Sequence, residues 1–99
     1  MAKFNLHISD RAEEDVINAT DYYDQINPDL GNRFLSELHE TYDVLKANPQ
    51  FYSYISSDPS NKFRDVKLKS FPYLVIYEII NNDVFITAVM HTNRKPFIS

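Results

Sequence analysis

The chain has 99 residues, of which 43% are hydrophobic, 14% aromatic and 24% charged, the proportions of one globular domain with a single modest core. It contains no cysteine, which excludes disulfide frameworks, thiolate nucleophiles and zinc–thiolate sites and fits a reducing, cytoplasmic setting. The net charge of −4 is unevenly split, with −7 over residues 1–60 and +3 over residues 61–99, and the basic half is sparser than the stripe of a usual nucleic-acid binder.

In chain order, Phe4, Leu6 and Ile8 alternate with Asn5 and His7. This predicts a short half-buried strand at or near a sheet edge, with His7 on its wet face. Ser9-Asp10 opens a helix, and Asp10 followed by Glu13 has capping-box spacing. Ala12, Val16, Ala19, Tyr23 and Ile26 form one apolar stripe along it. Asp21 and Asp24 fall off the stripe, with no histidine or glycine turn to make them a metal site. Asn27-Pro28 ends this helix and starts another, since proline disfavours helical geometry before it and suits the first helical position. Leu30, Phe34, Leu35, Leu38, Tyr42 and Leu45 give the second helix its stripe, which ends at Asn48-Pro49. A two- or three-residue link implies an antiparallel hairpin. Gly31, the only glycine, sits in the first turn, where its helix penalty is tolerable.

Residues 50–60, QFYSYISSDPS, are irregular but too apolar for a free linker, and fit a cover for the far side of a sheet. Three strands follow. Arg64, Val66 and Leu68 alternate with Asp65, Lys67 and Lys69, a pattern for an edge. In YLVIYEII, Tyr73, Val75, Tyr77 and Ile79 take one face and Leu74, Ile76 and Ile80 the other. The last strand sets Val84, Ile86, Ala88 and Met90 against Phe85, Thr87 and Val89. Strands apolar on both faces lie inside a sheet. The expected fold is therefore α+β, β-α-α-β-β-β, with a helical hairpin on a mostly antiparallel sheet of order 1-4-3-2. One domain spans residues 1–99. No segment approaches the ~18 apolar residues of a membrane span, and MAKFNLHISD does not read as a signal peptide.

A single glycine leaves no phosphate-binding loop, and no histidine pair is spaced for a metal. The pattern calls for no cofactor. One cluster stands out: Arg64, Lys67, Lys69, His91 and Arg94, with Tyr73 and Tyr77. Cations and a histidine from neighbouring strands suit metal-independent phosphodiester cleavage, which needs a base, an acid and charge stabilisation. The same residues also suit solvated strand positions that pair with the acidic helices, and the residues alone favour this second reading.

FPY followed by Tyr77 (Phe71, Pro72, Tyr73), and the terminal H-x-x-R-x-P (His91, Arg94, Pro96), resemble the RelE/ParE superfamily of bacterial toxins, the ParE-like branch above all. Ala12 to Asp15, Tyr22-Tyr23 and the Leu45 to Pro49 exit agree with it. The resemblance covers nearly the whole chain. It implies the toxin of a type II toxin–antitoxin system, of the kind that stabilises plasmids, held inactive in a hetero-oligomer with a small antitoxin encoded beside it. RelE-like members are ribosome-dependent messenger-RNA endoribonucleases, whereas ParE-like members inhibit DNA gyrase. Of the RelE active-site pattern, Lys67 and Arg94 match. Asp65 stands in place of a lysine, Leu74 in place of the arginine after Tyr73, and Phe97 near the terminal tyrosine. Leu74 cannot stabilise a phosphorane and Phe97 cannot exchange a proton. The expectation is thus a gyrase-binding inhibitor, with Tyr22, Phe97 and Ile98 as antitoxin-binding residues. The alternatives are a ribonuclease using Arg64, Lys67, His91 and Arg94, or an inactive protein that keeps the toxin fold.

Overall fold

A computed structural model describes residues 3–56 and 58–93. Strand β1 (Asn5–Ile8) leads into helices α1 (Asp10–Ile26) and α2 (Pro28–Ala47), and a short 3₁₀ turn (Pro49–Phe51) follows. Strands β2 (Phe63–Lys67), β3 (Tyr73–Ile80) and β4 (Asp83–His91) then complete one sheet in the order β1-β4-β3-β2. The expected order holds. β1 runs parallel to β4, and the other pairings are antiparallel.

Local chemistry sets the helix ends. α1 is capped by Ser9 and not by Asp10. Ser9 is extended and its Oγ accepts the Ala12 N–H at 3.1 Å, while Asp10 is already helical. The Ser9 hydroxyl also donates to the Thr87 carbonyl, so one side chain caps the helix and ties it to β4. The link between the helices is shorter than expected. Asn27 alone is the C-cap of α1 and the N-cap of α2, and its Oδ1 accepts the Asp29 N–H. Such a tight hairpin brings the helices close at Gly31, which is buried, and a Cβ there would run into the Asp24 carboxylate. That carboxylate belongs to an exposed side chain that can swing aside.

The core lies between the hairpin and one sheet face. Ala12 and Ala19 of α1 and Phe34, Leu38, Tyr42 and Leu45 of α2 pack on Val75, Tyr77, Val84, Ile86 and Val89. Ile26, the last residue of the expected α1 stripe and of α1 itself, is exposed. The far face is covered thinly, by Ile55 on Ile76 and Ala88 with Phe63 and Met90 beside them. Residues 50–60 thus do cover that side.

β4 departs from simple alternation. Ile76 pairs with Ala88 but Tyr77 pairs with Ile86, so Thr87 is an extra residue, a β-bulge. Its Oγ1 donates to the Ile76 carbonyl. The bulge resets the strand's facing. Val84 and Ile86 join Val89 in the helix-side core, while Ala88 and Met90 turn to the far side. The hairpin between β3 and β4 turns at Asn81, whose φ of 54° is left-handed, a conformation asparagine tolerates.

Two buried polar groups hold the irregular segment. The Tyr77 hydroxyl donates to the Pro49 carbonyl at 2.6 Å, and burial pushes its pKa upward. Asp58 accepts four hydrogen bonds, from the Ser60 N–H and hydroxyl and from the Lys62 and Phe63 N–H groups. These, the Ser60 hydroxyl foremost, hold its carboxyl at about 2.

Tyr77→Phe leaves the buried Pro49 carbonyl unsatisfied and is expected to lower unfolding stability by about 1–2 kcal/mol in urea titrations. Asp58 has a lower pKa folded than unfolded. Its contribution is present above the unfolded value of about 4 and is lost as pH falls towards 2. Melting scans at several pH values are therefore expected to show Asp58→Asn less stable than the wild type at pH 7, with the gap closing in acid.

Candidate functional site

The residues singled out from the sequence fall in three places. Arg64 sits at the start of β2. Its Nη1 donates to the carbonyls of Tyr52 at 2.7 Å and Gln50 at 3.3 Å. Its guanidinium lies 4.0 Å from the centre of the Tyr54 ring, in cation–π range. This side chain pins the 3₁₀ turn and the segment after it to the sheet. Tyr77, its register partner, is buried beside it.

Lys67 lies at the other end of β2. It pairs in register with Leu74, and Leu74 with Met90, so it belongs to the sheet face opposite His91. Its Nζ donates to the Leu68 carbonyl at 3.0 Å. With Lys69 it lines a groove of about 390 Å³ against Glu37, Glu40 and Val44 of α2. Glu37 accepts the Ser70 N–H across that groove.

His91 ends β4, in register with Tyr73. Their rings meet edge to face at 5.3 Å. Tyr73 also packs on Tyr23 and Phe34, and burial, with Tyr73 and Tyr22 nearby, raises the Tyr23 pKa. Here the structure forms a cleft of about 230 Å³ between α1 and the ends of β3 and β4, lined by Asp15, Asn18, Tyr22, Tyr73 and His91 among others. Of the residues expected to act, this cleft unites His91, Tyr73 and Tyr22. Arg64 and Lys67 lie elsewhere. Arg94, Phe97 and Ile98 lie outside the described residues.

The cleft has the wrong hydrogen bonding for a general base. His91 Nδ1 accepts the Asn93 N–H at 3.1 Å, so a neutral ring carries its proton on Nε2 and offers a donor there. Asp15 is occupied too. Its Oδ2 accepts the Val89 N–H at 3.0 Å, and Arg11 stands 3.9 Å away. This carboxylate satisfies β4 beyond the point where β1 stops pairing with it. In the sequence Asp15 showed only as the end of the Ala12–Asp15 motif. Its partner lies 74 residues on, beyond any local signal. Near the start of the sheet, His7 Nε2 meets Asp83 Oδ1 at 2.9 Å, which lowers the Asp83 pKa, and the His7 ring stacks on Phe85. Among the described residues no group of three histidine, aspartate or glutamate side chains lies close enough to hold a metal ion. No described helix is long and apolar enough to cross a membrane.

The family model for the ParE toxin of type II toxin–antitoxin systems, parDE, matches residues 6–96. The chain belongs to the ParE toxin family. A solved structure described as the chromosomal ParDE toxin–antitoxin system from P. aeruginosa shares the fold, with a TM-score of 0.76 and 18% identity. That match covers 89% of this chain and 95% of the other. No curated protein matches. As a ParE toxin of a type II system, the chain is one half of a pair whose other half is an antitoxin.

The placement of Arg64 has a direct test. Arg64→Ala removes two charge-assisted hydrogen bonds and the contact with Tyr54. It is expected to destabilise the fold by about 1–3 kcal/mol in thermal or urea unfolding, more than Lys67→Ala, whose ammonium holds only its neighbour's carbonyl.

Proposed function

We propose that this toxin acts by binding and inhibiting DNA gyrase and does not cleave RNA itself. The observation that carries the reading is the dispersal of the cations. Arg64 is spent on the carbonyls of Gln50 and Tyr52, Lys67 lies on the other sheet face, and His91 presents a donor. Metal-free phosphodiester cleavage needs a base, an acid and a cation around one phosphate, and the described residues supply no such grouping. The acidic helical half also disfavours docking among phosphates, where cationic contacts dominate affinity. An inhibitor needs only a shaped protein surface.

In this reading the antitoxin neutralises the toxin by covering its binding surface. Tyr22, 58% exposed at the mouth of the cleft with His91, is one contact, and Phe97 and Ile98 of the tail are two more. Aromatic residues at such positions often anchor protein partners.

The test is a supercoiling assay with purified gyrase and the purified chain, beside pulse-labelling of cells after induction. The expected result is lost supercoiling, with DNA synthesis stopping before protein synthesis. Lys67→Ala and His91→Ala are expected to keep full toxicity. Cleaved ribosome-bound messages with gyrase unaffected, or toxicity abolished by His91→Ala in a folded protein, would overturn the reading.

A further inference from the structure

The 3₁₀ turn at Pro49–Phe51 carries an aromatic patch that the core does not use. Phe51 is 79% exposed, more than any other large apolar side chain among the described residues, and Tyr54 is 44% exposed. The Phe51 ring meets Tyr52 edge to face at 5.1 Å. A lone exposed hydrophobic residue is ordinary. What sets this one apart is the backbone around it. The carbonyls of Pro49, Gln50 and Tyr52 are each held by a side chain of the sheet, the first by Tyr77 and the other two by Arg64. The Phe51 N–H donates to the Asn48 carbonyl. The ring is thus displayed on a fixed backbone, and an anchor fixed before binding has less freedom to lose on binding. Aromatic residues and arginine are also enriched among the side chains that hold protein interfaces together.

Charge identifies the partner. The two helices carry ten carboxylates and three cationic side chains. From Asn48 to Arg64 the balance reverses, with two cations and one carboxylate. That carboxylate, Asp58, is buried and takes four hydrogen bonds. Lys62 is exposed and lies over the Phe63 ring at 5.4 Å, with Glu78 at 3.8 Å. Arg64 has carbonyls and the Tyr54 ring as its partners. The nearest carboxylates of the sheet, Asp65 and Glu78, are only partly exposed, so the solvent-facing charge at this turn is cationic. Such a patch fits an acidic protein surface with an apolar recess for one ring. It is also separate from the cleft where Tyr22 was assigned to the antitoxin. The cleft includes Tyr73, whereas the turn is tied to Tyr77, four residues or about 14 Å along β3.

We propose that the 3₁₀ turn is an anchor for DNA gyrase. Phe51 enters an apolar recess in an acidic stretch of the gyrase surface, Tyr54 lies at the rim, and Lys62 faces the partner's carboxylates. The inference rests on the gyrase reading, and it adds where the target is held and by what chemistry. It also separates two functions of the toxin, since a chain that loses this anchor keeps its antitoxin.

The test measures binding of the purified full-length toxin to purified gyrase by surface plasmon resonance, beside the supercoiling assay. Phe51→Asp is expected to weaken both binding and inhibition by about tenfold or more. Lys62→Glu is expected to weaken them several-fold. Ile26→Asp, an equal change at the exposed end of α1, is expected to leave them as they are. Phe51→Asp is also expected to bind the full-length small protein encoded beside this chain as tightly as the wild type does, in calorimetric titrations. Circular dichroism melts check folding, and if Phe51→Asp does not fold, Phe51→Ser replaces it. Gyrase inhibition that Phe51→Asp retains in full, or that Ile26→Asp loses equally, overturns the anchor and leaves the gyrase reading intact. Antitoxin binding lost in Phe51→Asp with gyrase binding kept makes the antitoxin the occupant. A toxin oligomer that Phe51→Asp dissociates, again with gyrase binding kept, makes a second copy the occupant. Either overturns the proposal. No effect of the wild type on gyrase removes the gyrase reading and the anchor with it.

Discussion

Strand β3 carries apolar side chains on both faces, and a short chain must therefore cover it twice. The hairpin covers one face with Phe34, Leu38 and Leu45. The other receives a far smaller cluster centred on Ile55. This imbalance explains why so much of the structure serves to hold residues 49–63 in place. The Tyr77 hydroxyl donates to the Pro49 carbonyl, Arg64 grips the next carbonyls, and Asp58 gathers the turn into β2. Each satisfies a polar group that burial would otherwise leave stranded. The strongest polar groups of this half thus serve the fold.

Elements with a strong period were legible. The helical stripes, the doubly apolar β3 and the amphipathic β2 follow from spacing alone, and they suffice to order the strands 1-4-3-2. What stayed hidden depends on contacts distant in sequence or on one backbone step. Ser9 replaces Asp10 as the cap because the helix begins one residue earlier than the capping-box spacing suggests. The Thr87 bulge moves Ala88 and Met90 to the far side, and no hydropathy pattern marks an inserted residue in a strand apolar on both faces. The cluster of Arg64, Lys67 and His91 failed to gather for the same reason. Neighbouring strands bring residues near one another only in a specific register, and the register sends Lys67 to one face and His91 to the other.

The cleft at Tyr22 and His91 shows how a feature that looks chemical can be structural. β1 is short, so after Ile86 β4 keeps β3 on one side but has no strand on its other side among the described residues. Asp15 answers the open backbone N–H of Val89 on that side, and the rest of the cleft is the space left between α1 and the ends of β3 and β4. Open strand edges are sites where other chains attach. The geometry that makes a poor active site therefore makes a reasonable binding surface, in keeping with a ParE toxin whose partners are proteins.

Acidity points the same way. A toxin aimed at nucleic acid gains from cationic surface, because phosphate contacts release counterions. This chain instead concentrates carboxylates on the two helices, which form the outer layer over the sheet. Lys67 and Lys69, by contrast, share one groove with Glu37 and Glu40 of α2. Such an arrangement gives little net attraction to phosphate. It gives a strong selection among proteins, since a like-charged surface is rejected and an oppositely charged one is steered in. Exposed aliphatic side chains on an acidic helix pair are costly in a protein that stays alone and useful in one that is paired.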